Sequence, residues 1–188
     1  AETVATTWIG NTGGASPTSA FPGSVTDVWV DRDGTAYLTS PRDVGGRSLA
    51  VYREGRCLGR YAGLGGLVIA GNRDRVFVGV RDGIRILPKS PAADQPAEWI
   101  DVENGADTTE GGTVPDGIAT RGLHATDRHL YVSNAARQRV ERWDLPSRRK
   151  LQEWPFARPG AIAADPHGGL WVVRERLLAP EIDARTRN

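Results

Sequence analysis

The chain of 188 residues contains no methionine, one cysteine, three histidines and only two lysines. Each shortage excludes something. The single thiol, Cys57, rules out an internal disulfide framework and a cysteine-rich zinc site. His124, His129 and His167 leave little material for a histidine-based metal centre. The net charge is +1, from 24 basic and 23 acidic residues, without the surplus of Lys and Arg on which nucleic-acid affinity rests. Apart from Lys89 and Lys150 the basic residues are 22 arginines scattered along the chain, so composition offers no electrostatic partner. No apolar run approaches the roughly 18 residues that a membrane-spanning helix needs. The first residues, AETVATTW, begin at Ala1. Such a start fits the mature end left by secretory cleavage, which would make the protein exported, and fits equally a boundary introduced at that point. Sparse cysteine is compatible with export.

What is present is punctuation. The 23 glycines and 12 prolines leave little room for helices. Between them lie short runs of Val, Ile, Leu, Trp and Tyr, residues that fit a pleated, half-buried surface. VTDVWVDRDGTAYLTS is the clearest unit: Val28 and Val30 alternate with Trp29, Asp33-Gly34 makes the turn, and Ala36, Tyr37 and Leu38 resume. Asp-Gly between two such runs is a strong hairpin signal. The same grammar returns in LVIAGNRDRVFVGV, LHATDRHLYVSN and IAADPHGGLWVV. The second-strand aromatics Tyr37, Phe77, Tyr131 and Trp171 are spaced by 40, 54 and 40 residues. KSPAADQPAEW and ENGADTTEGG read as surface loops that lengthen the middle interval. A further strand pair follows each hairpin, best seen in LAVYREGRCLGRY and RVERWDLPSRRKLQEW. NAARQRVERWD could alternatively form a helix with Val140 and Trp143 on one face. The equivalent segments of other repeats contain glycine and alternate, which favours strand.

Four-stranded units at a period near 40 to 50 are the signature of an all-β fold, the β-propeller. Four blades are readable, over about 25–61, 64–102, 118–156 and 158–188, with an N-terminal strand over 7–11. They fit the N-terminal part of a six- or seven-bladed ring. They also fit a closed four-bladed propeller in which 180–185 supplies a third strand and 7–11 the outermost strand of blade four.

VDRDGTAYLTS, DRHLYVSNAARQRVERWD and RPGAIAADPHGGLWVV resemble blades of NHL-repeat propellers and of the SMP-30/gluconolactonase/strictosidine-synthase-like superfamily. With the opening WIGNT, the chain also resembles NHL-like actinobacterial proteins of unassigned role. The resemblance implies ligand sites at one channel mouth, built by residues just before each inner strand and by second-to-third-strand loops. In the gluconolactonase-like enzymes it further implies a divalent cation, calcium or zinc, held by Asn, Asp and Glu at such positions. The matching positions here are Thr26, Gly65, Arg121 and Gly160. Arginine does not ligate a cation and glycine has no side chain, which demotes a metal-dependent lactonase or lyase.

Near that mouth remain Asp27, Arg121 and His124, with Asp43, Arg47, Arg137 and Arg139 on the second-to-third-strand loops. Converging arginines suit an anionic or hydroxyl-rich ligand, because the guanidinium fork pairs with carboxylates and sugars. The same residues could equally be solvated loop charges, His124 a packed histidine and Asp27 a strand-start hydrogen-bond acceptor. Asp31, Asp33 and Gly34 echo a calcium loop but lack its bidentate Glu, and read as a hairpin turn. No nucleophile elbow, P-loop or dinucleotide fingerprint occurs. Cys57 reads as a packed thiol on an outer strand, and Arg148, Arg149 and Lys150 as a solvated hairpin tip. Trp8, Trp99, Trp143 and Trp154 suit inter-blade packing better than a sugar platform.

The expectation is therefore a non-catalytic recognition or scaffold propeller without a cofactor, binding a small molecule, glycan or protein at one channel mouth. Ring completion by a further chain is a possible partnership.

Overall fold

The computed structural model describes residues 25–40, 49–61, 64, 66–80, 83–90, 98–102, 119–165, 167 and 169–175. The strand expected over 7–11 and the third strand of blade four lie outside these residues. Every described element is a strand. β1 (Asp27–Val30), β2 (Ala36–Thr39), β3 (Leu49–Arg53) and β4 (Arg56–Tyr61) form the first sheet. β5 (Val68–Gly71), β6 (Arg75–Val80), β7 (Gly83–Pro88) and β8 (Glu98–Ile100) form the second. β9 (Thr120–Ala125), β10 (His129–Asn134), β11 (Arg139–Asp144) and β12 (Arg149–Pro155) form the third. β13 (Pro159–Ala164) and β14 (Leu170–Arg174) begin a fourth. Each sheet is an antiparallel meander in sequence order. NAARQRVERWD is thus a turn followed by β11, and the strand reading holds there.

The first hairpin repeats in detail because its turn chemistry repeats. Asp31, Asn72, Thr126 and Asp165 occupy one position, where the backbone N–H donates to the carbonyl of Thr35, Arg75, His129 and Gly169 respectively. In all four turns the same residue's side chain also accepts from backbone N–H groups ahead of it: Asp31 from Arg32, Asn72 from Asp74 and Arg75, Thr126 from His129, Asp165 from His167 and Gly169. In the first turn Asp33 adds a further acceptor, for the Thr35 N–H. Short polar side chains closing the turn on themselves explain why Asp, Asn and Thr interchange here. Glu54 and Gly55, at φ of 50° and 76°, make the two-residue turn between β3 and β4.

Successive sheets pack face to face through their first strands, β1 on β5, β5 on β9 and β9 on β13. This places the first strand of every sheet innermost, as in propeller blades. Strand alternation then assigns each side chain to a neighbour. Tyr37 joins Ile69, Val76 and Val78 in the core between blades one and two. Phe77 joins Leu123, Leu130 and Val132 between blades two and three. Burying a ring such as Phe77 stabilises the stack by about 1.5–3 kcal/mol. Gly71 is required by this packing, since a Cβ there would lie 2.4 Å from the Trp29 ring. Tyr61 donates its hydroxyl to the Pro88 carbonyl at 2.5 Å and Tyr37 to that of Lys89 at 3.1 Å, tying blade one to blade two.

The outermost strands β4 and β12 each carry a register shift, at which Leu58 and Leu151 fall out of the ladder and are exposed. A bulge on an exposed edge twists it away from pairing with another chain. Trp99 lies under the Arg85 guanidinium at 4.0 Å and Trp143 packs on the core between blades two and three. Among the described residues no helix is long and apolar enough to cross a membrane.

Candidate functional site

The four innermost strands enclose an open cavity of about 1230 Å³. Its wall runs from Thr26, Asp27 and Arg121 at one end to the first-hairpin turns at the other. Asp27, Arg121 and His124 all belong to it, so the fold gathers three of the expected residues from β1 and β9. Arg137 and Arg139, on and after the turn between β10 and β11, are not part of the described wall. Asp43 and Arg47 lie outside the described residues.

Asp27 opens β1 facing blade two. One carboxylate oxygen accepts from the Ile69 N–H at 2.8 Å and the other from the Val28 N–H at 2.9 Å. Burial pushes its pKa above the ordinary carboxylate value, opposed by these two donors. It pins the innermost strands of blades one and two together. His124 lies on the blade-four side of β9, its ring tilted 6.2 Å from that of Tyr131. Burial holds its pKa below the usual histidine value, so the imidazole is neutral at physiological pH. The pairing of β9 with β10 skips Arg121, which makes it the extra residue of a β-bulge. A bulge re-aims a side chain, and here the residue it displaces belongs to the cavity wall. A register shift at the same point of β13 follows Pro159.

Arg139 is engaged elsewhere. Its Nε donates to Glu141 at 2.6 Å and its guanidinium also meets Glu153 at 3.2 Å. Glu141 is fully buried and accepts further from Asn134 Nδ2 at 3.2 Å and Trp143 Nε1 at 2.9 Å. This network ties β10, β11 and β12 together inside blade three. Nothing in the alternation of RVERWD distinguishes a buried Glu from an exposed one. Lys89 was also missed, because it follows a strand in a stretch that reads as loop. It reaches across to Asp31 of blade one at 2.5 Å and lies 5.2 Å from the Trp29 ring, on the cavity wall.

The residues present do not fit the cation that the family resemblance implies. The register puts Leu67, not Gly65, in line with Thr26 and Arg121, and Leu67 is no ligand either. The Thr26 hydroxyl lies at hydrogen-bond distance from the Thr39 and Gly66 carbonyls, 3.2 and 3.3 Å away. Among the described residues no three His, Cys, Asp or Glu side chains come together as a metal-binding group.

No family model matches the chain, and no curated protein matches it. Solved structures do. Hydrazine synthase of Kuenenia stuttgartiensis superposes with a TM-score of 0.61 at 13% identity, over 89% of this chain and 46% of that one. The RRP9 WD40 repeats superpose with a TM-score of 0.52 at 15% identity, over 79% of this chain and 50% of that one. At these identities the likeness speaks for the fold alone, and the fold is that of β-propeller blades. The chain spans about half the length of these structures. The NHL and gluconolactonase resemblance has no family match behind it; by fold the chain is a β-propeller repeat protein.

Proposed function

We propose that the protein is a recognition propeller that takes a neutral, hydroxyl-rich ligand, a glycan or similar polar molecule, in the cavity between its innermost strands. The observation that carries this reading is the composition of the cavity wall. Four basic side chains, Arg32, Arg73, Lys89 and Arg121, stand among four acidic ones, Asp27, Asp31, Asp33 and Asp127. An anion would meet as much repulsion as attraction there, whereas hydroxyl groups find donors and acceptors together. Only Arg121 and His124 of the earlier arginine-and-histidine set contribute, which weakens the case for an anion.

Binding is favoured over catalysis because the carboxylates in the wall already have work. Asp27 accepts two backbone N–H groups, Asp31 pairs with Lys89, and Asp33 accepts from Thr35 and faces Arg53 at 3.4 Å. A general base needs a lone pair aimed at substrate, and a nucleophile needs such a base beside it. A protein or small-molecule ligand at the same mouth is the neighbouring reading within this class.

The test is a titration with a panel of neutral oligosaccharides, followed by saturation-transfer NMR and calorimetry. Binding that Arg121→Ala and His124→Ala each weaken by about tenfold, with the fold intact, supports the proposal. Binding confined to anionic ligands, or binding that neither variant changes, overturns it.

A further inference from the structure

The cavity wall includes main chain as well as side chains, and the repeat shows where. At each turn the N–H of Asn72, Thr126 or Asp165 donates to the carbonyl of Arg75, His129 or Gly169, which sets the ladder of that hairpin. Hydrogen-bonded pairs alternate with unbonded ones along two antiparallel strands. Three residues before those turn residues stand Ile69, Leu123 and Ile162, opposite Val78, Val132 and Val172 and between the bonded pairs. Their N–H and C=O groups therefore leave the sheet on its inner edge. Burial agrees: the three residues are only 4%, 8% and 9% exposed, yet all belong to the cavity wall, so it is their backbone that reaches it.

One of these N–H groups is capped by the protein itself. Asp27 of blade one accepts the Ile69 N–H at 2.8 Å. Asp27 lies four residues before the turn residue Asp31, and the same point of blades two and three is held by Val68 and Gly122. Both blades are in place, packed on β9 and β13 respectively, but neither brings a carboxylate to Leu123 or Ile162. Gly122 adds only backbone there, since a Cβ on it would lie 2.3 Å from the Gly160 oxygen and 3.0 Å from the Ile162 nitrogen. Among the described residues no other acceptor meets either N–H. A ligand that covers these donors without accepting from them leaves them unpaired, so they select for an acceptor oxygen.

We infer that the ligand is an acetamido sugar, whose amide carbonyl takes at Leu123 or Ile162 the place that the Asp27 carboxylate takes at Ile69. This rests on reading the cavity as the site of a hydroxyl-rich ligand. Among neutral groups an amide carbonyl comes nearest to a carboxylate as an acceptor, with two lone pairs on one oxygen and no proton of its own there. Around the two N–H groups the wall is Gly122, Ala125 and Ala161, small apolar surface against which an acetyl methyl packs. A carboxylate on the ligand would also accept, but Asp27, Asp31, Asp33 and Asp127 of the same wall oppose a further negative charge. A peptide carries carbonyls too, yet its backbone has no hydroxyl groups for the mixed acidic and basic remainder of the wall.

The experiment compares triacetylchitotriose with cellotriose, the same trisaccharide with hydroxyl groups in place of the acetamido groups. Calorimetry on the whole chain measures both, and two-dimensional NMR follows the assigned backbone amides. Triacetylchitotriose should bind about tenfold or more tightly, the worth of one or two added hydrogen bonds. It should move the Leu123 or Ile162 amide proton downfield as that group gains an acceptor, with the Ile69 amide, already bonded to Asp27, moved less. Equal affinity for cellotriose, or Leu123 and Ile162 amides that both stay in place, overturns the inference and leaves the recognition of neutral glycans standing. Tighter binding of trigalacturonate or of a blocked alanine tripeptide overturns it as well. Where neither trisaccharide binds but other neutral oligosaccharides do, the inference alone falls; where no neutral oligosaccharide binds, the reading of the cavity falls with it.

Discussion

Replacing Glu141 is the most direct probe of what holds blade three together. Its carboxylate is fully buried and gathers three donors, the Arg139 guanidinium, the Asn134 amide and the Trp143 indole. Glu141→Ala removes the acceptor from all three and leaves Arg139, only 16% exposed, without its nearest counter-charge. Breaking a buried ion pair from one side costs about 3–5 kcal/mol. Glu153 still faces Arg139 at 3.2 Å and is 46% exposed, so it relieves part of the loss. The low end is expected, about 3 kcal/mol, which lowers the melting temperature by roughly 6–12 °C for a chain of this size. Glu141→Gln keeps the shape and one acceptor oxygen but turns an amide N–H against a donor. It should cost about 1–3 kcal/mol. Arg139→Ala added to Glu141→Ala should cost little more, a coupling of about 2 kcal/mol in a double-mutant cycle. Urea unfolding followed by tryptophan fluorescence and far-ultraviolet circular dichroism measures all five proteins, the parent, Glu141→Ala, Glu141→Gln, Arg139→Ala and the double variant. A cost below about 1 kcal/mol for Glu141→Ala, or strictly additive single variants, would refute a buried, charge-paired Glu141.

Gly71→Ala should destabilise by about 1–3 kcal/mol, because its Cβ meets the Trp29 ring. In a Trp29→Ala background the same change should cost distinctly less, and equal costs in the two backgrounds would show that the blades do not pack in this register. Burial lowers the pKa of His124 in the folded chain, so the unfolded chain takes up its proton first. The stability linked to His124 is therefore complete above the ordinary value of about 6.5 and is lost as pH falls from there toward the folded value. His124→Gln should flatten that part of the stability profile, and an unchanged slope between neutral and mildly acidic pH would contradict the burial. Tyr37, raised to about 12 by burial first and by Asp31 and Asp33 second, should stay un-ionised in an ultraviolet titration well past the ordinary phenol value of about 10. Tyr37→Phe should cost about 1 kcal/mol through the lost hydrogen bond to the Lys89 carbonyl.

The four hairpins were legible because everything that makes them is local. Alternation in VWV, FVGV, LYVSN and LWVV sets the pleat, and Asp33-Gly34, Asn72, Thr126 and Asp165 close the turns with atoms from neighbouring residues. Five or six residues of sequence contain the whole interaction. Their recurrence was enough for an all-β propeller. The candidate site was legible only in part. Asp27, Arg121 and His124 reach the cavity because they lie on innermost strands, whose place follows from being first in each repeat. Arg139 was read from its distance to a turn, and strand alternation turned it instead onto buried Glu141.

What sequence alone determined is therefore the repeat: strand, turn and strand, with large apolar side chains at every second position. What only the tertiary structure decided is which repeat touches which, and through what atoms. Trp29 covers Gly71, Asp27 holds the Ile69 amide, Lys89 reaches Asp31, and Thr26 and Thr39 meet at the Gly66 carbonyl. Each of these pairs is separated by a strand pair or more along the chain. Local propensity says nothing about such partners, because their energy appears only when two sheets pack face to face and each residue's neighbour comes from another blade.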